Sequence, residues 1–434
     1  MVRKDGYVMD VAYPAHFNKE IQPVWLASVA NFLGSVAPDI QMPYSYCELG
    51  CGVGIDLLVA AATNPKGKFV GVDFNEEHLR LARNAANVLE LKNVRFIQAD
   101  FESFARQNNM LFDFVVLHGV WSWVAPKYQK SVLQIVAKSL APNGIFYLHY
   151  MCHPGATHLI SAQKLINDLS HCLVSGSEQS VQAGLDLLSA LDEVGVFADQ
   201  PKLKAHLQVL RKKNAAYLAH DFLTDYWRPQ HSVDVHKLVA QAGVSYLGSA
   251  DPYENQDALS IPGGVQPLLT TLPSPAMQEM VKDLARGQHQ RKDIYQRGAR
   301  SLSPQEHLEH LDCIRFQLLP AAPRSGGVRF STPIGVIEGP AAVFDPLLQV
   351  LAKGAASFSE LRQQPAFTGE PGILLQALQM LMWRGNVHPL RPEQQEAPCT
   401  DNLKQWLCAN NIDLDLVPEC GTAFTERGRA WHGG

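Results

Sequence analysis

The chain has 434 residues, 46% of them apolar, and its 37 basic and 42 acidic side chains leave a net charge of −5. That length exceeds an average domain and predicts two or three units with sizeable cores. The near balance of charge excludes a nucleic-acid footprint spread over the whole surface. The eight cysteines follow no CxxC or regular spacing and read as reduced thiols. Asp5 and Asp10 stand where a signal peptide would carry an apolar run, and no apolar stretch approaches the ~18 residues of a membrane span, so a cytoplasmic protein without a span is expected.

In chain order, the first predicted strand runs through Tyr46-Cys47-Glu48-Leu49 into Gly50-Cys51-Gly52-Val53-Gly54. Alternate glycines at a strand-to-helix turn let ligand atoms approach main-chain N–H groups where a Cβ would clash. A dinucleotide fingerprint would need a third glycine at Ile55 or Leu57, so the NAD or FAD reading fails there, while an acid, Glu48, followed by three alternate glycines points to S-adenosylmethionine. Lys68–Asp73 reads as a buried strand whose terminal acid is placed for ribose hydroxyls. A helix follows from Asn75 as N-cap, with Glu76 and Glu77 in its first turn and Leu79, Ala82, Ala86 and Leu89 on one face. Strands Val94–Gln98 and Phe112–Leu117, a helix near Ser131–Leu140, and strand Ile145–Leu148 after Pro142-Asn143-Gly144 continue the alternation. Such β-α alternation predicts a parallel sheet with ligands at the carboxyl ends of its strands.

Ala156 to Val174 and Ser180 to Leu218 read as helices without an intervening strand, hence as an insertion. The sheet resumes with a helix over Ser232–Gly243 and a strand over Val244–Leu247. More helix is expected between Pro275 and Leu311, and the seventh strand at Cys313–Leu319. Pro320–Pro333 reads as a boundary or hairpin. Helices over Asp345–Lys353, Ser357–Gln363 and Gly372–Arg384, then Val387–Leu390, predict a winged-helix-like module. Its Lys353, Arg362, Arg384 and Arg391 are interspersed with Asp345, Glu360, Glu370 and Glu393, and Gly372–Met382 has no basic face. A docking or homodimerisation module is expected there, with no nucleic acid as partner.

Glu48 to Gly54, Asp73, Asp100 and the Leu140–Gly144 turn together resemble the motifs of class I S-adenosylmethionine-dependent methyltransferases. The whole chain is similar to a narrower bacterial group in which that core is followed by a methyltransferase regulatory domain. The likeness lies in Gly6-Tyr7, Tyr13–Pro23, His118–Val124, Tyr217–Leu223, Gln290–Asp293, Arg297-Gly298 and Leu302–Pro304, with Asp221 where relatives often have Glu. It implies an α/β fold with a Rossmann-like seven-stranded sheet, a helical insertion and the C-terminal module. The expected units are a cofactor-binding core over 1–155, the insertion over 156–230, the rest of the core with the regulatory region over 231–325, and the winged-helix-like domain over 335–434. The group includes lysine methyltransferases of bacterial outer-membrane proteins, which implies a protein lysine or a small molecule as acceptor and S-adenosylhomocysteine as product. The cofactor candidates are Glu48, Gly50, Gly52, Gly54, Asp73, Phe74, Asp100, Phe101 and His118; the acceptor candidates are Tyr13, Trp121, Trp123, His149 and Tyr150.

After strand four the chain reads Leu117-His118-Gly119-Val120, without the Pro-Pro-aromatic of amino-methylating DNA enzymes, and no cysteine lies between Cys51 and Cys152 to serve as a cytosine nucleophile. His118 fits a general base or a loop hydrogen bond. Trp121 and Trp123 fit a pocket wall or loop packing. Tyr7, Tyr13, His16 and Phe17 fit a lid or an anchored N-terminus. His149, Cys152 and His153 lack the i,i+4 geometry of a helical zinc pair, so no metal is expected. A regulatory protein that binds cofactor without turnover is the competing class.

Overall fold

The structure, a computed structural model, describes residues 2–392, 397 and 399–424; Glu393 and the end of the expected C-terminal domain lie outside them. Seven strands form the central sheet: β1 Tyr44–Leu49, β2 Gly67–Asp73, β3 Val94–Gln98, β4 Phe112–Leu117, β5 Leu140–Met151, β6 Ser245–Ser249 and β7 Gln290–Gln296. Their order is β3-β2-β1-β4-β5-β7-β6. The first five are parallel, and β7 is antiparallel to both its neighbours. The order reverses beside β1, so the crevice at a topological switch point opens beyond the ends of β1 and β4.

Both faces of the sheet are covered, which is why its strands read as nearly continuous apolar runs. Tyr46, Phe114, Val116, Ile145 and Tyr147 enter one core, while Cys47, Leu49, Val115, Leu117, Phe146 and Leu148 enter the opposite one. The first face is covered by α1 Pro23–Phe32, α2 Ile55–Thr63 and α3 Glu76–Val88, the second by α4 Phe101–Gln107 and α5 Pro126–Ser139. Asn75 caps α3 by accepting from the Glu77 N–H at 3.0 Å, as its sequence position predicts.

Between β5 and β6 stand α6 Ile160–Cys172, α7 Ser177–Glu193, α8 Pro201–Leu210, α9 Ala215–Phe222 and α10 Ser232–Val239. Of these, α6 to α9 form a separate apolar cluster that also takes Trp123 and Met151. Short helices α11 Asp257–Ser260 and α12 Gln266–Leu269 precede α13 Pro275–Arg286.

The seventh strand is Gln290–Gln296, not Cys313–Leu319 as expected. Its sequence is polar, yet the strand is central and buried, because its charges are paired rather than solvated. Arg291, 2% exposed, donates through Nε to Asp293 at 2.9 Å and through Nη2 to Glu279 at 2.8 Å, and also pairs with Asp283. Asp293 accepts further from Tyr150 Oη at 2.8 Å and Tyr295 Oη at 3.0 Å, and lies 2.9 Å from His236 Nε2.

After α14 Pro304–Asp312, the displaced segment forms β8 Arg315–Leu318. A hairpin of β9 Val328–Thr332 with β10 Gly335–Gly339 begins inside the expected 320–333 stretch and places its second strand beyond it. Then come α15 Ala341–Leu351, β11 Ala356–Ser357, α16 Phe358–Leu361, α17 Pro371–Trp383 and β12 Val387–Pro389, and β8 pairs with both β11 and β12. This C-terminal part shares its core with the first face of the sheet. Trp383 stacks on Tyr253 with ring centroids 4.6 Å apart, and His388 lies against Trp25 at 5.4 Å.

Candidate functional site

β1 delivers Glu48 to its carboxyl end and the chain then turns into α2 with φ of 76°, 52° and 75° at Gly50, Gly52 and Gly54. A Cβ at Gly50 would lie 2.6 Å from Val120 Cγ2, and one at Gly54 2.7 Å from Phe96, whereas at Gly52 it would meet nothing within 4 Å. The outer glycines are therefore demanded by packing as well as by φ, and the middle one borders open space. The Gly52 N–H donates to Asp73 Oδ2 at 2.9 Å, and the Asn75 N–H donates to Oδ1 at 2.8 Å. Asp73 thus ties the glycine loop to the end of β2; burial holds its carboxyl above the usual range.

Glu48 is 5% exposed and its Oε2 has no hydrogen-bond partner. Burial, reinforced by the Asp56 and Asp73 carboxylates, pushes its acid well above the ordinary value. Asp56, in the first turn of α2, accepts from the Asn18 N–H at 2.7 Å and Asn18 Nδ2 at 3.1 Å, and burial still lifts it to about 7. A buried carboxylate with an idle oxygen, next to a glycine with room before it, fits a compact cation presented by a ligand. Asp56 carries no mark of this role in the sequence, because an acid in the first turn of a helix ordinarily answers only the helix dipole.

On the other side of the crevice, Asp100 caps α4 by accepting from the Ser103 N–H at 2.7 Å, and Phe101 packs edge-on to Tyr128 at 6.3 Å. At the end of β4, His118 stacks on His149 with centroids 4.4 Å apart and planes 11° from parallel. His118 Nδ1 lies 2.9 Å from Tyr147 Oη, and His149 Nδ1 accepts from the Gly119 N–H at 3.1 Å, which leaves the proton of neutral His149 on Nε2. Burial lowers His118 well below its usual pKa and brings His149 to about 4, so both rings are neutral near pH 7. Trp123 lies almost parallel to His149 at 6.3 Å, and its indole N–H donates to Asp221 Oδ1 at 3.1 Å.

Two acceptor candidates belong elsewhere. Trp121 is fully buried in the core on the far face of the sheet, with its N–H donating to Gln230 at 2.7 Å. Tyr150 is fully buried on that face too, donating to Asp293. Strand alternation decides this, since Tyr147 and His149 point to one face of β5 and Tyr150 to the other. Tyr13, by contrast, packs beside Tyr217 at 6.3 Å and His220 at 5.2 Å.

The N-terminal segment spans between the insertion and the core. Arg3 pairs with Asp225 at 2.8 Å, Asp10 caps α7 through Ser177 at 2.6 Å, and Tyr7 Oη bonds His220 Nδ1 at 3.0 Å. Tyr7 also meets Phe74 edge-on at 6.1 Å, and the Tyr13 N–H donates to His78 Nε2 at 3.3 Å. Tyr147, His78 and His220 escaped the sequence reading because only their partners mark them.

A methyltransferase-domain model matches residues 41–220 and a predicted methyltransferase regulatory domain matches 214–297. The Synechocystis protein sll1526, itself uncharacterised, is 31% identical over 395 residues, which is 90% of this chain and 77% of its own. The Rickettsia prowazekii protein RP789 is 27% identical over 264 residues, 56% of this chain and 46% of its own. Among solved structures, PKMT2 from Rickettsia typhi in complex with AdoHcy superposes with a TM-score of 0.67 at 18% identity, covering 87% of this chain and 77% of that one. That likeness is one of fold.

Proposed function

The chain belongs to the S-adenosylmethionine-dependent methyltransferases that carry a methyltransferase regulatory domain, and we propose that it places its methyl groups on a protein lysine. When bound, the cofactor supplies an electrophilic methyl group with an intrinsically good leaving group. The residues here must hold it, align the acceptor, keep water out and relieve the attacking nitrogen of its proton.

In this reading Glu48 takes the cofactor's ammonium through its idle Oε2, and Gly50, Gly52 and Gly54 form the floor. Asp73 retains lone pairs for the ribose hydroxyls after accepting its two backbone bonds. Phe74, Asp100, Phe101 and His118 border the adenosine and methyl side, while Tyr13, Trp123 and His149 line the acceptor side.

The observation that carries the lysine reading is the stacked, neutral His118–His149 pair at the ends of β4 and β5. A lysine ammonium, with a free pKa of ~10.4, cannot attack until it is deprotonated. Burial against aromatic rings favours its neutral form, and a neutral histidine can accept the proton. His118 can do so through Nε2 in the tautomer where Nδ1–H donates to Tyr147 Oη. The resemblance to lysine methyltransferases of outer-membrane proteins supports the same acceptor.

His118→Ala is expected to lower kcat by ~100-fold or more, the lower range for general-base catalysis, with cofactor affinity nearly unchanged. Steady-state kinetics on a lysine-bearing protein beside calorimetry with S-adenosylhomocysteine checks this. A near-wild-type kcat would remove the histidine from proton transfer.

A further inference from the structure

The turn between α8 and α9 puts Lys213 where its ammonium lies 5.3 Å from the centroid of the Tyr217 ring. Tyr13 packs against the same ring, tilted 56° to it with centroids 6.3 Å apart. Asp221, one turn further along α9, is fixed at one carboxylate oxygen by the Trp123 indole N–H. The charges of Lys213 and Asp221 act on one another: burial lowers the lysine and raises the acid to about 6, and each opposes the other's shift. A carboxylate, tyrosine faces and a buried alkyl stem are the elements that recognise an alkylammonium group. One such group, the ammonium of the chain's own Lys213, already lies over the Tyr217 face, and Asp221 stands one turn further along the same helix.

We propose that Asp221, Tyr217 and Tyr13 form the subsite that receives the acceptor's alkylammonium, and that Lys213 occupies this subsite until an acceptor displaces it. The inference rests on the lysine reading above. It makes Asp221 the residue that selects a cationic acceptor. Trp123 joins the subsite to the histidine pair, since the same indole that holds Asp221 lies parallel to His149. It also gives the two charged residues opposite effects, which separates the proposal from mere loss of structure. Removing Asp221 takes away the acceptor's counter-charge, whereas removing the Lys213 charge vacates its place.

The test uses the full chain saturated with S-adenosylhomocysteine and n-butylamine as probe, with n-butanol as the uncharged control, followed by calorimetry or ligand-observed NMR. Lys213→Met should bind n-butylammonium at least about tenfold more tightly than wild type, and Asp221→Asn at least about tenfold more weakly, as for gain or loss of one charged hydrogen bond. Asp221→Glu should recover part of the affinity, and n-butanol should not discriminate among the variants. With unfolded casein as methyl acceptor, KM should follow the same order. Unchanged n-butylammonium affinity in either Lys213→Met or Asp221→Asn would overturn the proposal. The expected binding order with no methyllysine formed in casein would retain the cation subsite and sink the lysine reading instead.

Discussion

Glu48 leaves its Oε2 buried without a hydrogen-bond partner, under the influence of the Asp56 and Asp73 carboxylates. Such an arrangement costs stability unless a ligand compensates it. Glu48→Gln keeps the shape and removes the charge, so it should weaken S-adenosylmethionine binding by ~1.5–3 kcal/mol, the range for hydrogen bonds to charged groups. Titration calorimetry decides it, and unaltered affinity would take the ammonium away from this side chain. The glycine loop and Asp73 were legible in the sequence because tight turns and strand-end acids leave a local mark. Trp121 and Tyr150 were misread because which face of a strand or loop a ring occupies depends on register, not on residue type. Asp221 and Lys213 drew no role from the sequence, since their meaning comes from the Tyr217 ring and the Trp123 indole that the fold sets beside them.

Among the elements, the N-terminal segment is held to the insertion by Arg3–Asp225 and Asp10–Ser177, and to the core by Asn18–Asp56. Its Tyr7 and Tyr13 reach Phe74 and His78, just after the end of β2 at Asp73. A strap in that position should slow ligand release. Deleting residues 2–12 is therefore expected to speed S-adenosylhomocysteine dissociation several-fold with little change in association. Stopped-flow fluorescence would show it, and equal off-rates would reduce the segment to an anchor. The parallel strands and the insertion were readable from apolar runs and their interruption. The seventh strand was not, because β7 buries paired charges that look like a surface sequence. Likewise α17, lacking a basic face, is buried along most of its length against the core, where a DNA-reading helix would need an exposed face.

For the molecule as a whole, buried neutral histidines dominate the titration between pH 4 and 7. Burial brings His78, His149, His206, His220, His289 and His388 each to about 4. Their folded pKa values lie below the unfolded value, so the unfolded chain binds more protons between about 4 and 6.5 and stability rises with pH across that window. Asp56 and Asp251 at about 7, Asp221 at about 6, and Glu48, Asp73 and Asp283, all raised by burial, act oppositely, because such acids favour the folded state only while protonated. Burial lowers His16, His118, His153 and His158 as well, so the histidines outnumber these acids and Tm should fall as pH is lowered from 6.5 to 4.5. A Tm that climbs on acidification would contradict this balance.

The acceptor proposed for this methyltransferase is a lysine nitrogen. The most direct measurement is to supply methyl-labelled S-adenosylmethionine with unfolded casein and, separately, with a small-molecule extract and total tRNA, then hydrolyse the protein fraction to amino acids. Label is expected in N-methylated lysine, reduced in Glu48→Gln at sub-saturating cofactor and strongly reduced in His118→Ala. Label confined to the small-molecule or tRNA fraction, with none in lysine, would contradict it.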